Sequence, residues 1–96
     1  MTTSRYIRGR RFEHRVKRLL EERGYIVVRS AGSKGPFDLV ALRFGEILLI
    51  QCKLDGNLPK AEKRQMIAAA RVAGGKPLLA IRDRRTGEIR LAEVSP

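Results

Sequence analysis

Asp38-Leu39-Val40-Ala41-Leu42-Arg43-Phe44-Gly45-Glu46-Ile47-Leu48-Leu49-Ile50-Gln51-Cys52-Lys53 is the stretch that decides the fold. Two mostly apolar runs, Asp38 to Leu42 and Ile47 to Lys53, flank a tight turn at Phe44-Gly45, which is the pattern of a β-hairpin. The second run stays apolar until Gln51, as expected of a central strand covered on both faces. With the turn centred between Phe44 and Gly45, residue 38 lies directly opposite residue 51. Side chains alternate along a strand, so Lys53 shares the face of Gln51 and Cys52 takes the other. A carboxylate, an amide and an ammonium therefore meet at one end of a sheet. Cys52, facing away from them, reads as a core thiol rather than a nucleophile.

Upstream, Arg5 to Arg23 reads as a helix. Phe12, Val16, Leu19 and Leu20 make one apolar stripe, with Ser4 as a plausible N-cap and Gly24 as a stop. Glu13 flanks that stripe beside Val16 and Leu20, so it points along the seam between helix and sheet and can join the polar set. Gly9 lies on the same side one turn earlier, where it would let the backbone approach a neighbour. Tyr25 to Arg29 is short and β-branched, a strand. Ser30 to Pro36 is a loop by its Ser, Gly and Pro content. Downstream, Leu54 to Pro59 is a linker and Lys60 to Ala73 a second helix ended by Gly74-Gly75. Pro77 to Arg82 and Glu88 to Val94 are strands around a turn at Arg84-Arg85-Thr86-Gly87. The order is α-β-β-β-α-β-β, an α/β arrangement. Nothing repeats, and no segment is low-complexity.

The 96 residues suit one compact domain, spanning residues 1–96. Lys and Arg number 21 against 10 Asp and Glu, a net charge of +11. Such a chain seeks a polyanion, and nucleic acid is the leading partner, because each basic side chain beside a phosphate releases a counterion. The first helix carries much of this charge, including Arg8, Arg10 and Arg11. A single cysteine excludes an internal disulfide and a Cys-rich zinc site. The N-terminus has no signal-like apolar stretch and no run approaches membrane-spanning length, so a soluble cytoplasmic protein is expected, with no membrane partner.

Glu13, Asp38, Gln51 and Lys53 are the polar residues that structure alone explains least. Singly, each has an ordinary explanation: a turn Asp, a Gln and a Lys emerging into water, a helix Glu paired with a nearby Arg. Their joint placement on a basic scaffold favours chemistry. Phosphodiester hydrolysis needs such a set. Mg²⁺, for which Mn²⁺ would substitute, takes oxygen ligands and keeps several waters, so one or two carboxylates plus the substrate phosphate suffice. A lysine beside it can position water or stabilise charge on the phosphate.

Pro36-Phe37-Asp38 followed by Gln51-Cys52-Lys53 resembles the PD-(D/E)XK nuclease signature. The short pattern is weakly specific. More specific are Gly24 to Lys34, Gly74 to Ala80 and the ending Glu93-Val94-Ser95-Pro96, which resemble the corresponding stretches of archaeal Holliday junction resolvases. The basic first helix with Gly9 and Glu13 also fits, and the resemblance spans almost the whole chain. It implies a restriction-endonuclease-like core: a mixed β-sheet flanked by helices. It also implies a homodimer with one Mg²⁺ site per subunit, nicking paired strands of a four-way DNA junction, with no small-molecule substrate. By that resemblance Glu13, Asp38 and Gln51 would hold the metal and Lys53 would be catalytic. Ser33 would contribute from the loop near the cleavage site. Arg29 would contact DNA or support the site, and Ser30 lies in the same loop as Ser33. The basic face of the first helix (Arg8, Arg10, Arg11, with His14), Ser30 and Lys34 are further candidate DNA contacts. Two positions depart from the family pattern. Gln51 stands where it has an acid, so weaker metal binding is expected, and His14 stands where it tends to have Arg.

Other readings stay open. A nuclease of the same fold acting on other branched or damaged DNA is one, since fold does not fix substrate. A junction-binding protein with a decayed site, marked by Gln51, is another. A small RNA-binding protein fits less well, because Tyr6, Phe12, Tyr25, Phe37 and Phe44 offer no evident stacking platform. Tyr6 and Phe44 could stack on opened bases, with packing in the core or the turn the safer reading. Arg84 and Arg85 are candidate phosphate contacts. A dimer could use the apolar face of the second helix (Met66, Ile67, Ala69, Ala70) and the last strands.

Overall fold

The computed structural model describes residues 5–30 and 35–96. The chain forms α1 (Arg5–Glu22), β1 (Ile26–Arg29), β2 (Leu39–Arg43), β3 (Glu46–Cys52), α2 (Lys60–Ala73), β4 (Lys76–Arg82) and β5 (Ile89–Glu93). This is the order expected from the sequence, with strand ends moved by a residue or so. The five strands stand in the order β1-β2-β3-β4-β5. All neighbours are antiparallel except β3 and β4, which are parallel because α2 returns the chain across the sheet.

The hairpin register is the one read from the sequence. Leu39 pairs with Ile50 and Arg43 with Glu46. Phe44 and Gly45 form the two-residue turn with φ of 44° and 79°. Both angles lie in the left-handed region, as a type I′ turn requires, because that twist matches the twist of the strands. The ladder also runs past the strand ends: the Asp38 N–H donates to Ile50 O at 2.8 Å and the Lys53 N–H to Ala80 O at 2.9 Å.

β3 is the middle strand, and both its faces are covered. On one face α1 lays Phe12, Val16 and Leu20 against Leu39, Ala41, Leu48, Ile50, Leu78 and Ala80, forming the main core. The opposite face carries Leu49 and receives α2, whose Met66 and Ala70 are buried. Full burial of a side chain such as Leu20, Leu39 or Ile50 stabilises by about 1.5–3 kcal/mol. Arg15 ties α1 to the β4–β5 turn by donating to Gly87 O at 2.8 Å. At the other end, Arg43 lies over the Tyr25 ring, 4.2 Å from its centroid. The Tyr25 hydroxyl donates to Glu46 at 2.8 Å, joining the α1–β1 corner to the hairpin turn.

α2 and β4 meet without slack. Gly74 caps the helix in the left-handed conformation. Gly75 then runs so close to β3 that a Cβ there would lie 2.9 Å from Ile47 Cγ2 and 3.0 Å from Ile47 O. Gly9 behaves differently from expectation: a Cβ there would meet nothing within 4 Å, so among the described residues it serves no close approach. The face proposed for a dimer also needs correction. Met66 is 0% and Ala70 3% exposed, packed onto β3 and β4, so only Ile67 and Ala69 of that face stay half-exposed. The apolar surface left open is elsewhere. α2 covers only the β3–β4 half of its face of the sheet, so Ile26, Val28 and Leu42 on the other half are exposed, as is Val72 on α2.

Phe44 is 96% exposed in a left-handed conformation that a bulky side chain seldom adopts. It lies in the turn but is not packed there. Phe44→Asn should therefore stabilise the protein by roughly 0.5–1 kcal/mol, since Asn-Gly is the preferred type I′ pair. Urea denaturation would register this as a higher midpoint at unchanged slope.

Candidate active site

The polar residues picked out in the sequence converge where the sheet ends at Asp38 and Cys52. Register parity assigns them to two layers. Arg29 pairs with Leu39 and so shares the α1 face, where its Nε donates to Glu13 Oε1 at 3.1 Å in a part-buried ion pair. Gln51 and Lys53 belong to the α2 face. Asp38 stands at the sheet end with its carboxylate turned to the β3 backbone, and its Oδ2 accepts the Cys52 N–H at 2.8 Å. The Ser30 N–H donates to Asp38 O at 2.9 Å, so the backbone of Asp38 is held from β1 as well.

Burial is the main perturbation at both carboxyls. It pushes Asp38 above its ordinary value, against the opposing pull of the Cys52 N–H and the Lys53 charge. Burial also raises Glu13, helped by the negative charge of Asp38 and opposed by Arg29. These two acids thus lie within electrostatic reach of each other, one from α1 and one from the sheet. Cys52 packs against the α1 core, and burial there pushes its thiol far up, so the sulfur stays protonated and unreactive.

Gln51 Oε1 is buried without a hydrogen-bond partner among the described residues. A buried amide oxygen left bare costs free energy unless a ligand completes it. Among the described residues no three His, Cys, Asp or Glu side chains stand close enough to enclose a metal ion by themselves. An open site suits a small hard cation that keeps its waters: Asp38 as carboxylate, Gln51 as a bare oxygen, and Glu13 nearby. The residues present therefore fit Mg²⁺ or Mn²⁺ and would not fit a closed structural zinc site.

The remaining candidates distribute around this centre. Arg8, Arg10, Arg11 and His14 are exposed on α1, and none forms an ion pair among the described residues. Arg8 joins Arg82 and Arg84 in lining an open cleft with Leu54 and Asp55, just beyond Lys53. Ser33 and Lys34 lie outside the described residues, as does Ser4. Sequence reasoning missed two residues. Arg82 reaches the Arg8 cleft from the end of β4, and no local pattern marks it. Glu62, in the first turn of α2, holds Lys53 Nζ at 3.3 Å, and its only sequence mark is the proline three residues before it.

A five-stranded mixed sheet with a helix on each face, an Asp at the start of β2 and a Gln-x-Lys at the end of β3 define the restriction-endonuclease-like class of α/β fold. The chain belongs to the archaeal Holliday junction resolvase (Hjc) family, whose family model matches residues 4–95. It is similar to the crossover junction endodeoxyribonuclease Hjc of Methanocaldococcus jannaschii, at 44% identity over 82 residues. That match takes in 81% of this chain and spans 61% of the length of that relative. Its fold is similar to that of the Holliday junction resolvase Hjc of Archaeoglobus fulgidus, with a TM-score of 0.77 and 28% identity. The structural match covers 91% of this chain and 73% of that one. Among the described residues no helix is long and apolar enough to cross a membrane.

Desolvated site carboxylates weigh on stability. The folded state holds the Asp38 proton more tightly than the unfolded chain does. The wild type is therefore penalised above the folded pKa, and the penalty fades as pH falls through it. Asp38→Asn removes the charge, and its amide oxygen can still accept the Cys52 N–H. In metal-free thermal melts the variant should unfold a few degrees higher at pH 7, with the gap closing toward about pH 4. A lower melting temperature at pH 7 would contradict the burial of this charge.

Proposed function

We propose that this chain is a metal-dependent endodeoxyribonuclease that resolves four-way DNA junctions by paired nicking. The carrying observation is the bare, buried Gln51 oxygen beside the desolvated Asp38 and the Lys53 ammonium, in a member of the Hjc family. Asp38 and Gln51, with Glu13 from α1, would hold Mg²⁺ or Mn²⁺. A cation held there would supply Lewis-acid polarisation of the phosphoryl oxygen and a more acidic water. The protein's own groups do the rest. The Cys52 N–H fixes the Asp38 carboxylate, so it needs no reorganisation as charge develops. Arg29 fixes Glu13 in the same way. Lys53 presents a positive charge where the scissile phosphate gathers negative charge. The exposed arginines of α1, with the Arg8, Arg82 and Arg84 cleft, offer phosphate contacts on the approach to the site.

Labelled mobile four-way junction, incubated with Mg²⁺ beside linear duplex, tests this reading. Paired symmetric nicks in the junction are expected, with little cutting of duplex and none by Asp38→Asn. Tight junction binding without nicking, in Mn²⁺ as well, would instead identify a junction-binding protein with a decayed site. Equal cutting of flaps or nicked duplex would shift the substrate to branched DNA at large.

Two related strands at a junction call for two sites related by a two-fold axis. We propose a homodimer joined through the open apolar surface of Ile26, Val28, Leu42 and Val72, which a second copy would cover. Light scattering should give a dimer for the wild type and a monomer for Val28→Lys, with melts confirming that the variant folds. A Val28→Lys protein that stays dimeric would move the interface elsewhere.

A further inference from the structure

Gln51 offers the cation site only a neutral amide oxygen, and the structure carries another carboxylate close at hand. Glu62 occupies the third position of α2, where a glutamate ordinarily reaches back to the N–H of the N-cap residue. The N-cap here is Pro59, which has no N–H, and the helix has no side-chain cap. Glu62 is therefore free to turn toward the end of β3. Its Oε1 and Oε2 lie 3.4 and 3.3 Å from Lys53 Nζ. Oε2 is buried and accepts no hydrogen bond of good geometry among the described residues. The charge of Glu62 also reaches Asp38, whose carboxyl it helps to raise. A helix-start glutamate serving only the helix dipole would keep its oxygens in water. Glu13, meanwhile, is engaged by Arg29. On the α2 side of the sheet end, without Glu62, the cation site would rest on Asp38, whose Oδ2 takes the Cys52 N–H, and a neutral amide.

We propose that Glu62 supplies the cation site with the carboxylate that Gln51 lacks, joining Asp38, Gln51 and Glu13 as an oxygen-bearing residue of that site. The charge has moved from the strand to the facing helix while the site has kept its position. This inference rests on the nuclease reading above and goes beyond it, assigning a residue that reading does not use.

Calorimetric titration of Mn²⁺ into the DNA-free protein tests it apart from activity. Glu62→Gln should weaken Mn²⁺ affinity by about tenfold or more. Gln51→Glu in the Glu62→Gln background should recover most of that loss, because it returns a carboxylate to the same site. Metal-free melts would show that each variant folds. A second pair removes the alternative that Glu62 only holds Lys53: with Lys53→Met in place, Glu62→Gln should still lower affinity about tenfold. Unchanged affinity on Glu62→Gln, in either background, overturns the assignment of Glu62. If the wild type neither binds Mn²⁺ saturably nor nicks a junction, the nuclease reading itself falls and this inference with it. If binding is lost in Asp38→Asn but not in Glu62→Gln, the nuclease stands and Glu62 is the Lys53 counterion alone.

Discussion

The two-residue turn at Phe44-Gly45 constrains everything around it. Because Arg43 pairs with Glu46, Leu39 must pair with Ile50 and the end of β3 must arrive beside Asp38. A slip of one residue would send Leu48 and Ile50 away from α1 and separate Asp38 from Gln51 across the sheet. The same register lets Asp38 take the Cys52 N–H, so that one hydrogen bond both closes the hairpin and fixes a carboxylate. Core and site thus share a single geometric origin. The strain of a phenylalanine at positive φ is tolerated because so much apolar burial follows from the register that the turn sets.

That origin explains how much could be read from the sequence. Hairpin register is local, so the opposition of residues 38 and 51 and the shared face of Gln51 and Lys53 were legible. The α1 stripe at Phe12, Val16 and Leu20 was legible too, and with it the position of Glu13 on the seam. The bounds of α2 followed from its composition and from Gly74-Gly75. What could not be read depends on how distant elements meet. The rotation of α2 about its axis decides that Met66 and Ala70 face the sheet and that Glu62 reaches Lys53. No sequence spacing gives that rotation, because a parallel crossover has no tight turn to fix it. Arg82 joins Arg8 for the same reason, through the parallel pairing of β4 with β3. Gly9 misled because a glycine in a helix has a close-packing reading, and here nothing among the described residues packs there.

The site also shows where the charge of the molecule is directed. The chain carries a net +11, yet two of its few acids are half-buried at one sheet end at the cost of desolvation. Placing negative charge there costs stability and opposes an approaching phosphate. A cation bound as proposed would reverse the sign locally, and the exposed arginines around it would supply attraction at longer range. The basic surface and the acidic centre are thus complementary parts of one arrangement.

The α2–β4 joint carries a consequence for how this domain can change length. The helix ends at Ala73 and β4 begins at Lys76, with Gly75 pressed against Ile47 between them. One inserted residue there would invert the facing of every side chain in β4, turning Leu78 and Ala80 out of the core and Leu79 into it. Nor could the insertion bulge inward, since β3 already occupies that space. The linker at 54–59 and the turn at 84–87 are under no such parity rule. Insertions and deletions compatible with this fold are therefore channelled to those two connections, both of which border the Arg8 cleft. Length variation would then remodel the approach to the site while leaving the sheet end that forms it untouched.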